Sequence, residues 1–152
     1  MNNVFNFEMG NNMKIDFHFK KIFPLRNRLK IKSLIKRIID ENGKRGNSID
    51  IIFCSDPYLL MINKKFLNHN TYTDIITFNL GLEGEISGEI YISIDRVREN
   101  ARKFNVTQQN ELCRVIIHGI LHLIGLDDKT IKEKVLMRSK EDYYLSFLNS
   151  ST

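Results

Sequence analysis

A single α+β domain, with a mixed four-stranded β-sheet packed against about five helices, is the fold class this sequence predicts. Three observations lead there. The chain has 152 residues, enough for one domain around one core. Four short stretches alternate in polarity or are dense in β-branched and aromatic residues, while longer stretches carry apolar residues at helical spacing. Their order is strand, helix, strand, helix, strand, strand, helix, helix, helix, which a layered α+β packing can bury.

Residues 1–13 are rich in Asn and lack periodicity, so they read as an N-terminal tail or an overlong start. The domain itself is expected over residues 14–152. Lys14 to Phe19 alternates, with Ile15, Phe17 and Phe19 on one side, as a half-buried strand does. Arg26 to Glu41 has an apolar stripe of Ile31, Leu34, Ile35, Ile38 and Ile39, with basic residues on the other face and Gly43 as a stop. Ser48 to Cys54 is a strand. Ser55-Asp56-Pro57 is a helix start, with proline at a first-turn position, and Tyr58 to Leu67 follows as a short helix. Thr73 to Leu80 and Glu89 to Ile94 are predicted strands joined by a long loop, Gly81 to Gly88. Asp95 is expected to cap a helix reaching about Phe104. Asn105 to Thr107 is a break. Gln108 to Ile124 and Thr130 to Leu148 are the last two helices.

Composition narrows the class. Hydrophobic residues make up 42% and charged residues 27%, ordinary for a globular domain. No apolar run approaches the roughly 18 residues of a membrane span, and the start does not look like a secretory signal. Cys54 and Cys113 are too few for a disulfide framework and lie in apolar runs, so a reduced, cytoplasmic protein is expected. The net charge is +5, and no acidic residue falls between Asp16 and Asp40. Lys20, Lys21, Arg26, Arg28, Lys30, Lys32, Lys36 and Arg37 fill that gap. Clustering of this kind fits a polyanion, nucleic acid first, and Arg28, Lys32 and Lys36 are the candidate RNA contacts.

The chemistry concentrates in His118-Gly119-Ile-Leu-His122-Leu-Ile-Gly125-Leu-Asp127-Asp128. Histidines four apart share one helix face, so their imidazoles can converge on one ion. Gly125 stands where a helix end turns left-handed, a conformation that suits glycine, and the returning chain can offer a third ligand. The spacing matches the H-E-x-x-H-x-x-G-x-x-H zinc sites, with Asp128 at the third position and Asp127 as its rival. Two histidines and a carboxylate satisfy zinc while leaving a fourth position for water. Gly119 replaces the glutamate that zinc proteases use as general base. A bound cation would then supply most of the activation, which suits a phosphodiester substrate.

These residues carry a resemblance. Val115 to Asp127 resembles the signature of the YbeY family of bacterial endoribonucleases, H-G-x-L-H-L-x-G-x-D-H, departing at its last position. Ile62-Asn63-Lys-Lys-Phe66 with Thr73-Asp74-Ile-Ile-Thr-Phe78, and Gly88-Glu89-Ile90-Tyr91-Ile92-Ser93, resemble two further blocks of that family in the same order. The likeness spans about residues 14–148. It implies an α+β fold with the metal in a cleft at the sheet edge. It also implies a metal-dependent, single-strand-specific endoribonuclease acting in maturation of the 3′ end of small-subunit rRNA and in ribosome quality control.

On that resemblance His118 and His122 carry over as zinc ligands, one ion per chain. Asp128 stands where the family has a third histidine. Leu67 stands where it often has an arginine, with Lys64, Lys65 and His69 nearby as plain surface charge. The implied partners are single-stranded RNA, rRNA and the small ribosomal subunit. Two other functions fit parts of the pattern. One is a zinc peptidase or amidase whose glutamate comes from elsewhere, Glu111 or Glu89. The other is a non-catalytic, ribosome-associated protein with a structural metal.

Overall fold

The computed structural model describes residues 12–149. Strand β1 (Lys14–Phe19) leads to helix α1 (Arg28–Glu41), then β2 (Arg45–Cys54) and α2 (Asp56–Leu67). The hairpin β3 (Ile75–Asn79) and β4 (Glu85–Ser93) follows, then α3 (Ile94–Lys103), α4 (Gln108–Leu123) and α5 (Ile131–Asn149). This is the predicted α+β class, with four strands in one mixed sheet and five helices among the described residues. The sheet order is β1-β2-β4-β3. β1 pairs parallel with β2, β2 parallel with β4, and β3 antiparallel with β4. The tail expected over residues 1–13 lies almost wholly outside the described residues. Met13 is described, and it is buried with its sulfur against Gly46.

Alternation decides which side of the sheet each residue faces. Ile15 of β1, Ile49, Ile51 and Phe53 of β2, and Ile86, Ile90 and Ile92 of β4 point to one side. There they meet Ile31, Leu34, Ile35, Ile38 and Ile39 of α1, the buried face of α4, and Met137, Tyr144 and Leu145 of α5. The other side is covered in part by α2, where Leu59 and Ile62 pack on Cys54 and Ile76, while His18 and Asp50 stay solvent-accessible on it. Both cysteines are free and buried, as the sequence predicted. Burial pushes the Cys54 thiol up to about 12 and Cys113 up to about 11, which keeps both protonated and inert.

Three of the boundaries that differ from the sequence expectation have a clear physical cause. β2 starts at Arg45, because Arg45 and Gly46 still pair with Glu85 and Ile86. β4 starts at Glu85, so residues 85–88 are strand rather than loop. Gly88 pairs with Asn79, and a Cβ there would stand 2.3 Å from the Phe78 carbonyl oxygen. Glycine in that stretch marks close backbone approach inside a strand, not a turn. Helix α3 is capped by Ser93, whose hydroxyl accepts from Arg96 N–H at 3.2 Å. Asp95 instead accepts from Asp56 N–H at 2.8 Å and pairs with Lys21, tying the starts of α2 and α3 together.

Candidate metal centre

The C-terminal half of α4 lies close against β3 and β4 because Gly119 has no side chain. A Cβ there would meet Ile75 Cδ1 at 2.8 Å and Ile90 Cγ2 at 3.1 Å. Position 119 therefore faces the sheet. His118 and His122, one turn apart, flank that position and line a cleft with Asp74, Ile75 and Thr77 at the free edge of β3.

The end of the helix places the third candidate ligand. Gly125 N–H donates to His122 O and Leu126 N–H to Leu121 O, both at 3.0 Å. Gly125 has φ 107°. This pair of bonds is the Schellman turn, the left-handed closure that the glycine predicted. It returns the chain so that Asp128 meets the two rings. His118 Nε2 and His122 Nε2 lie 2.9 Å apart, and Asp128 Oδ2 is 3.4 Å from each. Ligands around a tetrahedral zinc with bonds of about 2.0–2.1 Å stand about 3.3–3.4 Å from one another. Two imidazole nitrogens and one carboxylate oxygen on nearly that triangle are a chemically suitable donor set. Among the described residues, His118, His122 and Asp128 form the group whose ligand atoms converge in this way. Asp127 is exposed and is not part of it. The three side chains remain 23%, 25% and 39% exposed, which leaves the outer corner reachable from the cleft.

Sequence reasoning missed Glu141. Its Oε2 accepts from the His118 Nδ1 side at 2.6 Å, and its other oxygen accepts from Arg114 Nη1 at 3.1 Å. Arg114 also donates to Asp142 at 2.7 Å. A carboxylate on the far nitrogen fixes the tautomer of a ligating histidine and aims its other lone pair at the ion. One signal was present: Glu141 falls in the apolar stripe of α5, between Met137 and Tyr144, where an unpaired acid would be costly.

The charges around the rings are coupled. Burial opposes protonation of His118. The hydrogen bond and charge of Glu141, then Asp128 and Asp74, outweigh it and hold the His118 pKa above its ordinary value. Burial lifts the Asp74 carboxyl, with His118 pulling it the other way. Burial likewise lifts Glu111, against the pull of Arg114.

The triad sits between two lobes of one cleft. Asn63, Leu67, His69, Thr71 and Thr73 line the lobe beside β3. Asn100, Phe104, Lys134 and Arg138 line the lobe between α3 and α5. Asp74, His118 and Asp128 border both. Leu67, at the family's arginine position, is thus on the cleft wall, and so is His69. Buried Asn63 shapes that wall. Its side chain donates to Thr71 O at 2.8 Å and its carbonyl accepts from His69 N–H at 3.1 Å.

The candidate RNA contacts are not at this cleft. The Arg28 guanidinium lies over Phe19 and the Lys32 ammonium over Phe17, both rings on β1. Lys36 follows one turn later on α1. β1 is the opposite edge of the sheet from β3, about 14 Å away across three strand spacings. Neither Glu89 nor Glu111, the candidate peptidase glutamates, reaches the rings. Glu89 faces the other side of the sheet, beside Tyr91. Glu111 is seven residues before His118 on α4, about 10 Å along the helix. No helix among the described residues is long and apolar enough to cross a membrane.

Comparison with known proteins agrees with the geometry. Residues 15–149 match the family described as Endoribonuclease YbeY. A Cytophaga hutchinsonii protein named Endoribonuclease YbeY is 48% identical over 86% of this chain and 93% of its own length. One of the same name from Flavobacterium psychrophilum is 45% identical over 89% of this chain and 96% of its own. The solution structure of TM1509 from Thermotoga maritima superposes with a TM-score of 0.64 at 30% identity, covering 88% of this chain and 87% of that one. With the family matched over nearly the whole described chain and relatives this similar, the chain belongs to the YbeY family of endoribonucleases.

Proposed function

We propose that this cleft cuts single-stranded RNA with the help of one divalent cation, zinc foremost, held by His118, His122 and Asp128. The observation that carries the proposal is the triangle of two Nε2 atoms and one Oδ2 atom, open on its outer side. A cation bound there supplies Lewis acidity and neutralises charge gathering on a phosphodiester.

The chain's own groups do the rest. Glu141 holds the His118 ring with its Nε2 toward the site. Gly125 holds Asp128 in place. The free edge of β3 and the wall at Asn63 and Thr71 confine an extended strand beside the triad. The biological role that goes with this activity is processing of rRNA, including the 3′ end of the small-subunit rRNA, and ribosome quality control in the cytoplasm. The small subunit is the macromolecular partner.

A peptidase has little to work with here. The position after His118 is turned into the sheet, and a glutamate placed there would be buried against Ile75 and Ile90.

The test is cleavage of a labelled single-stranded RNA, with a duplex of the same sequence as control. Chelation should abolish cutting, stoichiometric zinc should restore it, and the duplex should stay whole. Cutting that survives full removal of metal would overturn the metal's role. Peptide cleavage without RNA cleavage would overturn the substrate.

A further inference from the structure

The lobe between α3 and α5 has a feature that catalysis at the triad does not use. Phe104, the residue that closes α3, is 55% exposed on its wall, although the same fold buries Phe23 and Phe53 almost completely. Lys134 and Arg138 stand one turn apart on α5 and line the same lobe. Among the described residues the Lys134 ammonium has no ion-pair partner, and Arg138 has only a loose contact of 3.7 Å with Glu141. The lobe is about 350 Å³, within the range of small-ligand clefts. It borders His118 and Asp128 directly.

An exposed aromatic ring beside cations that are unpaired or loosely paired is how single-stranded nucleic acid is held without reading its sequence. The ring takes a base face and the cations take the backbone. We propose that this lobe is a nucleotide subsite. A base next to the scissile phosphate stacks on Phe104, and the phosphate beyond it rests on Lys134 and Arg138. This rests on the RNA reading of the triad and adds a direction to it, since the strand runs from the β3 lobe across the triad toward α5. It also supplies a reason for single-strand preference, because a base inside a duplex has both faces covered by its stacked neighbours.

The experiment is rapid mixing of the full, zinc-loaded chain with short single-stranded RNAs carrying 2-aminopurine at successive positions. The expected result is fluorescence quenching at one position adjoining the cut. Phe104→Ala should lose that quenching and raise KM about ten-fold with little change in kcat, while Phe104→Tyr should keep both. The Lys134→Ala, Arg138→Ala double variant should keep the quenching but weaken binding and flatten its salt dependence. Zinc content should be unchanged in all three.

Normal cleavage with no quenched position, or Phe104→Ala behaving as wild type, would overturn the subsite while leaving the endoribonuclease intact. RNA that is neither bound nor cut by the wild type would overturn both.

Discussion

His118 is held from two sides, and that makes Glu141 the most informative residue to change. Glu141→Gln keeps the shape and a hydrogen-bonding oxygen but removes the charge facing the His118 Nδ1 atom. Zinc affinity should fall about 10–100-fold, as measured by competition with a chelating dye, while the fold persists. The same pair sets a pH dependence. The folded His118 pKa lies above the ordinary value of about 6.5. In the metal-free chain its protonated form with Glu141 therefore contributes stability that is fully present below about 6.5 and lost as pH rises through the raised value. Metal binding runs the other way, because the ion needs the neutral ring. Zinc affinity should drop as pH falls through that raised value, above the point where an ordinary histidine would begin to compete. A competition titration across pH 5–9 checks this, with flat affinity down to pH 6 as the contrary result. The sequence displayed His118, His122 and Asp128 because local spacing alone brings them together. Glu141 lies 23 residues from its partner and reads as one more charge in a charged helix. Only the packing of α5 on α4 makes it a neighbour of the ring.

At the scale of the element, the ends of α4 matter as much as its face. Gly125 has open space where a side chain would stand, so substitution there tests backbone conformation alone. Gly125→Ala should cost about 1–2 kcal/mol in urea unfolding, the strain of a Cβ at positive φ. It should also weaken zinc binding, because the same turn delivers Asp128. Unchanged affinity would mean that Asp128 is placed by something other than the turn. This turn was legible in the sequence because a left-handed helix end has a residue preference. The extent of β4 was not. Gly88 and Gly84 carry the same letter, yet Gly84 turns the hairpin at φ 77° while Gly88 lets two strands approach. The cap of α3 is Ser93, two residues before the expected Asp95, for a similar reason. Ser93 and Asp95 are both good caps in isolation, and the pull of Lys21 and the Asp56 amide on Asp95 decides between them.

The whole molecule separates its chemistry from its charge. The triad lies at the β3 edge, while Arg28, Lys32 and Lys36 lie over or near β1. A sequence shows how many cations a helix has but not which edge of the sheet it covers. We propose that this basic face engages a long RNA beyond the cut site, as rRNA in a ribosomal particle would be. Replacing Arg28, Lys32 and Lys36 by Ala should weaken binding of long single-stranded RNA and reduce the magnitude of its log–log salt slope by about 2. A slope unchanged within error, from fluorescence anisotropy across a salt series, would show that the face is only a solvated helix surface.

The expectations for catalysis and zinc affinity depend on one ion at one place. Anomalous scattering at the zinc edge from crystals grown with stoichiometric zinc locates it most directly. A single strong peak per chain is expected, bonded to Nε2 of His118, Nε2 of His122 and a carboxylate oxygen of Asp128, with no fourth protein ligand. A peak held by Asp127 instead, a site closed by another side chain, or no peak within bonding distance of both rings would contradict it.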